Sequence, residues 1–287
     1  MLQAQFINQS LSSFILWLDH RICANGGFQN YSGNLYPIAN SLYGHYAYGA
    51  VGAPIVSDLS VSGANIMSGV YLNNVFISTG QSGLLDIDYK HGLTYFNSQI
   101  NYPISGYFSV KDFNVIATDK QDDVLLFKNK YSLRQRYPYK ATGILDDNLT
   151  YPMVFVKFDG SNDEPFALGG SENSTVNIRC IILADSLYSL HALQSLLQDS
   201  IRTPIALLNN SDMPYNARGG LKNGFFNYTG IANSYINQNN YLFIENVIVP
   251  RYGQRYITNN GDLNYDIFYN GIDFQLSKVR DLSRKYV

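Results

Sequence analysis

The stretch Gly69-Val-Tyr-Leu-Asn-Asn-Val-Phe-Ile-Ser-Thr-Gly80 decides the fold class of this chain. Short runs of apolar and β-branched residues flank the pair Asn73-Asn74. Asparagine tolerates the positive φ angles that a two-residue hairpin turn requires. The pattern therefore predicts two short antiparallel strands joined by a tight turn.

The same design continues along the chain. Leu84 to Tyr89 and Leu93 to Phe96 predict a second hairpin around the turn Lys90-His91-Gly92. Further turn-bounded apolar runs predict strands at residues 104–110, 113–117, 124–127, 153–158, 205–208, 241–250 and 271–276. Strands this short and closely spaced predict a mainly β protein of the α+β class, built as an antiparallel β-sandwich or barrel.

Two segments predict helices. Residues 3–22 carry apolar side chains at three- and four-residue spacing, and Gly26-Gly27 supplies a stop. Residues 175–183 form a near-continuous apolar strand, after which Asp185-Ser186 can cap a leucine-rich helix. We therefore expect an N-terminal helix and one β-α unit near residues 175–201.

The segment from residue 27 to 54 is rich in Gly, Tyr, Asn and Ser, has almost no charge and shows no period. We expect an extended arm ordered against a partner, the alternative being packing within the same chain. The predicted division is a helix and Tyr/Gly-rich arm (1–54), a β-rich core (55–276) and a basic C-terminal arm (277–287). Without an internal repeat or a linker, one intertwined domain with protruding segments is expected, and deleting residues 28–54 should leave the core folded.

The composition replaces charge with aromatic and amide side chains. Charged residues make up 15 % of the chain, where roughly 25 % is typical, while there are 24 tyrosines and repeated Asn pairs. Tyrosine is enriched and lysine depleted at the centres of protein–protein interfaces. The alternative is codon bias in an AT-rich genome, although this would raise lysine as well.

This composition predicts assembly through tyrosines of the arm and arginines near the C-terminus. The candidate interface residues are Tyr31, Tyr36, Tyr43, Tyr46, Tyr48, Arg280 and Arg284.

No catalytic, cofactor-binding or metal-binding constellation is expected, and we expect no enzyme activity. The four histidines His20, His45, His91 and His191 have no metal-ligand spacing. Paired acids at Asp122-Asp123 and Asp146-Asp147 lie in turn-like sequence, and no nucleophile elbow or phosphate loop is present.

One sequence pattern is that of a partial calcium loop. Asp262, Asn264 and Asp266 alternate as such ligands do, but Ile267 stands where the loop requires glycine. A strand with one polar face explains the pattern better. Cys23 and Cys180 lie in apolar surroundings and are expected to be buried thiols without a disulfide framework.

Charge and hydropathy exclude some partners. The net charge of −2 gives no electrostatic footprint for nucleic acid. No segment has the roughly 18 apolar residues that span a bilayer, and the apolar patch at residues 14–18 lacks the flanks of a signal peptide. We expect neither sequence-specific nucleic-acid binding nor membrane insertion, and a protein of the cytoplasm or of a particle assembled there.

Taken together, the helix, the low-charge aromatic segment, the hairpin of residues 69–80 and the unit Asn177-Ile-Arg-Cys-Ile-Ile-Leu-Ala-Asp-Ser-Leu-Tyr188 resemble virion structural proteins of tailed bacteriophages. The resemblance covers most of the chain. It implies a virion location and a ring-forming neck, connector or tail component, with copies of itself and other virion proteins as partners.

Two other functional classes stay open. A carbohydrate- or receptor-binding β module would use exposed Tyr and Asn for stacking and hydrogen bonding. An enzyme with a composite site would have to gather the scattered acids and histidines.

Overall fold

The computed structural model describes residues 2–38, 44–50, 52–122, 125, 152–167, 171–249 and 268–281. Within these ranges the chain forms two β-sheets, three α-helices and a short 3-10 helix, so the mainly β prediction is confirmed. The helices are α1 (Leu2–Ala24), α2 (Leu187–Gln198) and α3 (Tyr228–Asn237). The strands are β1 (Phe28–Ile38), β2 (Tyr46–Gly49), β3 (Gly69–Leu72), β4 (Val75–Ser78), β5 (Leu84–Asp88), β6 (Leu93–Phe96), β7 (Ile104–Lys111), β8 (Asn114–Ala117), β9 (Met153–Ala167), β10 (Ser171–Ala184), β11 (Pro204–Ala206), β12 (Tyr241–Ile248) and β13 (Phe268–Asp281).

The first sheet has seven antiparallel strands in the order β4-β3-β7-β1-β2-β6-β5. Its two edge strands, β4 and β5, are joined by only residues 79–83, so the sheet must curl until its edges approach each other. All seven strands supply side chains to one core, formed by Leu35, Tyr48, Val70, Ile77, Leu84, Ile87, Phe96, Ile104, Phe108 and Val110 among others. A core that the two edges share gives the sheet a barrel-like form.

The second sheet has six strands in the order β11-β12-β13-β10-β9-β8, and only the β8–β9 pair is parallel. All three helices contribute to the large core on one of its faces. In α1, the Phe14 ring meets Phe274 of β13 edge-on, with 4.9 Å between centroids. Burying a large apolar side chain of this kind contributes about 1.5–3 kcal/mol, so this core holds α1 in place.

The N-terminal helix ends where the glycine pair predicts. Gly26 adopts φ +86°, a left-handed conformation that glycine takes without a Cβ penalty. The amides of Gly26 and Gly27 donate to the carbonyls of Cys23 and Ile22, both at 3.0 Å. These bonds satisfy carbonyls that the end of the helix would otherwise leave unpaired.

The predicted hairpins and the β-α unit are also confirmed. Asn73 and Asn74 have φ +48° and +66° between β3 and β4, the two positive angles of the expected turn. β5 and β6 pair around residues 89–92. Ser186 caps α2 by accepting a hydrogen bond from the Ser189 amide at 3.1 Å. Of the strand predicted at residues 124–127, the structure describes only Leu125, and there the prediction is wrong. Leu125 has a helical backbone, and its amide donates to the Gln121 carbonyl at 3.1 Å.

The arm expected at residues 28–54 is not an arm where the structure describes it. β1 lies inside the first sheet, paired with β7 along residues 28–35 and with β2 along residues 36–38. Its backbone hydrogen bonds are therefore made within the chain. This agrees with the alternative expectation for the segment, which was packing within the same chain. Deleting residues 28–54 would remove two interior strands, so we no longer expect the core to stay folded after that deletion. At the other end, residues 277–281 complete β13, and residues 282–287 lie outside the described residues.

One helix was missed. Residues 228–237, for which the sequence predicted no helix or strand, form α3. The helix is capped by Asn227, whose side chain accepts from the Gly230 amide at 2.8 Å. The helix packs into the core of the second sheet through Tyr228 and Ala232.

Candidate functional site

Three aromatic side chains form a row on the outer face of the first sheet. Phe76 of β4 lies opposite Tyr71 of β3, with 5.3 Å between ring centroids. Tyr71 in turn meets the ring of Tyr107 of β7 at 5.4 Å. We call Phe76, Tyr71 and Tyr107 the aromatic row. Both contacts are edge-to-face, a favourable geometry for aromatic pairs.

Strand alternation explains why the aromatic row faces outward. Val70 and Ile77 point into the core, so their neighbours Tyr71 and Phe76 point the other way. Phe76 is 47 % exposed and Tyr107 is 54 % exposed. A paired, rigid sheet thus presents large apolar surface to solvent.

The positions beside the row carry no charge. Ser105 pairs with Tyr71, Ser32 pairs with Tyr107, and Asn34 pairs with Ser105. The aromatic row with these neighbours has the composition of an interface centre, where aromatic residues are enriched and charged residues depleted.

A groove lies beside this face, between the end of β1 and residues 99–104. Up to Leu35 the strand β1 pairs with β7, and from Tyr36 it pairs with β2 instead. The opening left by this change of partner has a volume of about 260 Å³. Tyr48 fixes the far wall, because its hydroxyl accepts from the Ile100 amide at 2.8 Å and lies 3.4 Å from the Ile100 carbonyl oxygen.

The predicted interface residues fall in different environments. Tyr36 and Tyr46 are exposed, and Tyr31 is half-buried with its ring 4.9 Å from Phe108. Tyr48 is only 4 % exposed and belongs to the core, so it is not available to a neighbouring subunit. Tyr43 lies outside the described residues.

Of the two arginine candidates, the structure describes only Arg280, and it is paired within the chain. The guanidinium of Arg280 lies 4.3 Å from the Phe6 ring centroid, donates to Asp163 at 2.9 Å and also donates to Ser174. These contacts within the chain engage Nε and one terminal nitrogen of the guanidinium. Arg284 lies outside the described residues.

The sequence did not single out Tyr71, Phe76 or Tyr107. The alternation of residues 69–72 and 104–110 contains the signal that places them on one face of their strands. Their grouping, however, requires β3 to pair with β7, which no local pattern indicates.

Two histidines are paired with aspartates. His20 Nδ1 lies 2.6 Å from Asp58 Oδ2, and the imidazole stacks on the Tyr228 ring. Burial alone would raise the pKa of Asp58, but hydrogen bonds from His20, Ser60 and the Tyr228 amide outweigh it and lower the pKa. The cluster ties α1, the segment after β2 and the start of α3 together.

The second pair belongs to a turn. His91 Nδ1 lies 2.6 Å from Asp88 Oδ2, and Asp88 Oδ1 accepts from the amides of Lys90 and His91. The Tyr95 hydroxyl also donates to Asp88. Asp88 thus holds the β5–β6 turn closed, an Asx-type role. His45 and His191 lie apart from both pairs, half-buried and exposed respectively.

An ion network lies on the second sheet. Asp122 accepts from Lys157 at 2.6 Å and from Arg179 at 2.9 Å, and Arg179 also reaches Asp273. Burial would raise the pKa of Asp122, but the two cations outweigh it and lower the pKa. Asp122 is therefore part of a cross-strand network rather than a free turn residue.

The other candidates from the sequence are the two cysteines, the acidic pairs and the partial calcium loop. Cys23 and Cys180 are buried free thiols, as predicted, and burial raises the pKa of both. Residues 262–266 lie outside the described part of the chain, as do Asp123 and Asp146-Asp147. Among the residues that the structure describes, no three His, Cys, Asp or Glu side chains gather as a metal site would require.

Neither a protein-family model nor a curated protein sequence matches this chain. In the described ranges, none of the helices combines the length and the apolar character needed to cross a bilayer.

Proposed function

We propose that this protein is a structural subunit that assembles with copies of itself through the outer face of the first sheet. The observation that carries the proposal is the aromatic row, two of whose three rings are about half exposed on an uncharged, rigid surface. Aromatic side chains bury 150–250 Å² each, at roughly 25 cal/mol per Å² of apolar surface. Covering the row is therefore strongly favourable.

The rigidity of the sheet supports the same proposal. Side chains already held by edge-to-face contacts lose little conformational freedom on binding, which leaves more of the burial energy for affinity. The net charge of −2 also imposes little electrostatic repulsion between identical copies.

For the place of assembly, the proposal rests on the sequence resemblance to virion structural proteins. We propose a neck, connector or tail component of a tailed-bacteriophage virion, in which rotationally related copies close a ring and contact other virion proteins. The low charge and the high tyrosine content support assembly through protein–protein contacts. A head-to-tail contact, in which two different surfaces of the subunit meet, gives a closed ring when a whole number of rotations completes the circle.

The test is the mass of the purified full chain in solution, followed by negative-stain imaging. Light scattering over a concentration series should show an oligomer, and images should show rings. The double variant Phe76→Ser/Tyr107→Ser should shift the mass toward the monomer, since interface centres often lose about 2 kcal/mol or more per truncated aromatic residue.

The control is Tyr188→Ser, which removes the most exposed tyrosine described, on α2 and away from the row. This variant should assemble as the unmodified protein does. A monomer at every concentration, or an oligomer that the double variant leaves intact, would contradict the proposal.

A further inference from the structure

The groove between the end of β1 and residues 99–104 has a lining of aromatic and amide groups. Tyr36 is 53 % exposed and Tyr102 is 66 % exposed. Three amide side chains, Asn34, Gln99 and Asn101, lie beside these rings and are also exposed. The rings come from both walls of the groove, so a ligand in it would meet both.

The two tyrosines and three amide side chains of the groove keep donors and acceptors that are available to a ligand. Within the residues that the structure describes, none of Asn34, Gln99, Asn101, Tyr36 or Tyr102 makes a side-chain hydrogen bond to the protein. Each amide offers two donors and one acceptor oxygen. By contrast, Tyr48 uses its hydroxyl to hold the groove wall at Ile100. The wall is fixed while the lining is free to bind.

The lining selects the chemical class of ligand. The groove residues are Asn34, Leu35, Tyr36, Pro37, Tyr48, and 99–104, and none of them is charged. A charged ligand would lose hydration here without gaining a counter-charge. A neutral ligand with apolar faces and many hydroxyls would stack on the tyrosines and exchange hydrogen bonds with the amides.

We propose that this groove binds a neutral oligosaccharide. Its volume of about 260 Å³ is just below the roughly 300–1,000 Å³ of enclosed small-molecule pockets, and it lies open at the surface. A short stretch of a glycan chain fits such an open groove while the rest of the chain continues into solvent. The groove shares Asn34 with the neighbours of the aromatic row, but it uses none of the three rings of that row.

The experiment presents the full chain to an array of neutral glycans (α- and β-glucans, mannans, chitin oligosaccharides) and anionic ones (sialylated and sulfated). The strongest neutral oligosaccharide is then titrated by calorimetry. We expect binding to at least one neutral glycan, and Tyr102→Ala and Tyr36→Ala should each weaken it about tenfold. Tyr102→Phe keeps the stacking ring and should stay within about threefold of the unmodified protein.

Tyr188→Ala is the matched control, because it removes an equally large side chain that is 85 % exposed on α2. It should bind unchanged, and so should Phe76→Ser/Tyr107→Ser, which separates the groove from assembly. Three results would each overturn the proposal: no binding to any neutral glycan, binding to anionic glycans alone, or equal weakening by Tyr188→Ala and Tyr102→Ala.

Discussion

Lys111 Nζ lies 2.7 Å from Asp19 Oδ2 and 2.8 Å from Asp19 Oδ1, and this ion pair joins the last residue of β7 to α1. Lys111 is buried, with a relative exposure of 8 %. Burial alone would lower the pKa of Lys111, but the carboxylate of Asp19 outweighs it and raises the pKa. The Asp19 carboxylate thus favours the charged form of the lysine in the interior.

Asp19→Asn should destabilise the fold by about 3–5 kcal/mol, because it removes the carboxylate charge that pairs with a buried ammonium. The double variant Asp19→Leu/Lys111→Met should lose much less, since it removes both charges. Urea unfolding of the three proteins measures the difference. Equal stability of Asp19→Asn and the unmodified protein would show that the ion pair contributes nothing to the fold.

Asp58 makes stability depend on pH at the acid end. Its folded-state pKa is lowered, so the stability that it supplies is present above the unfolded value of about 4 and is lost as the pH falls through the folded value. At pH 7 Asp58→Asn should cost about 1–3 kcal/mol, and the gap to the unmodified protein should narrow toward pH 3.

Denaturant titrations between pH 3 and pH 7 provide the measurement. Asp185→Asn is the control, because this exposed carboxylate before α2 makes no side-chain hydrogen bond or ion pair in the described part of the chain. Its stability gap should stay near zero throughout. A gap for Asp58→Asn that is constant with pH would rule out the linkage.

Tyr48→Phe should loosen residues 99–104. The substitution removes the hydroxyl that accepts from the Ile100 amide, and an unsatisfied amide of this kind costs about 1–3 kcal/mol. Hydrogen exchange at Ile100 should become faster, and the free energy of unfolding should fall. Tyr36→Phe, whose hydroxyl is exposed, should change neither quantity.

The β3–β4 turn depends on two residues with positive φ. Asn74→Ala should destabilise the hairpin by about 1–2 kcal/mol, because alanine lacks the local polar contacts that let asparagine enter this region. Asn74→Gly should match or exceed the stability of the unmodified protein. Thermal unfolding of both variants decides between this account and a turn that tolerates any residue.

Elements with local signals were predictable from the sequence. α1 ends at a glycine with φ +86°, and the first hairpin turns on two asparagines. β1 was missed because only Leu35 and Ile38 are fully buried along it, and because its partner β7 is remote in sequence. α3 was missed because Gly230 and polar residues interrupt its apolar stripe.

The candidate sites were less predictable than the fold. Tyrosine enrichment indicated an uncovered aromatic surface, but it did not distinguish buried Tyr48 from exposed Tyr107. The aromatic row draws on three strands, and the groove arises where β1 changes its pairing partner. Both depend on long-range pairing, which residue patterns do not encode locally.

The position of β1 has a consequence for biosynthesis. Phe28 pairs with Lys111, so the strand leaves the ribosome well before its partner β7 does. At 5–20 residues per second, translation leaves one edge of β1 without its partner for on the order of 4–17 s. During that interval the nascent chain exposes a strand edge with unpaired backbone N–H and C=O groups. A chaperone or a neighbouring nascent chain on the same polysome could bind to that edge.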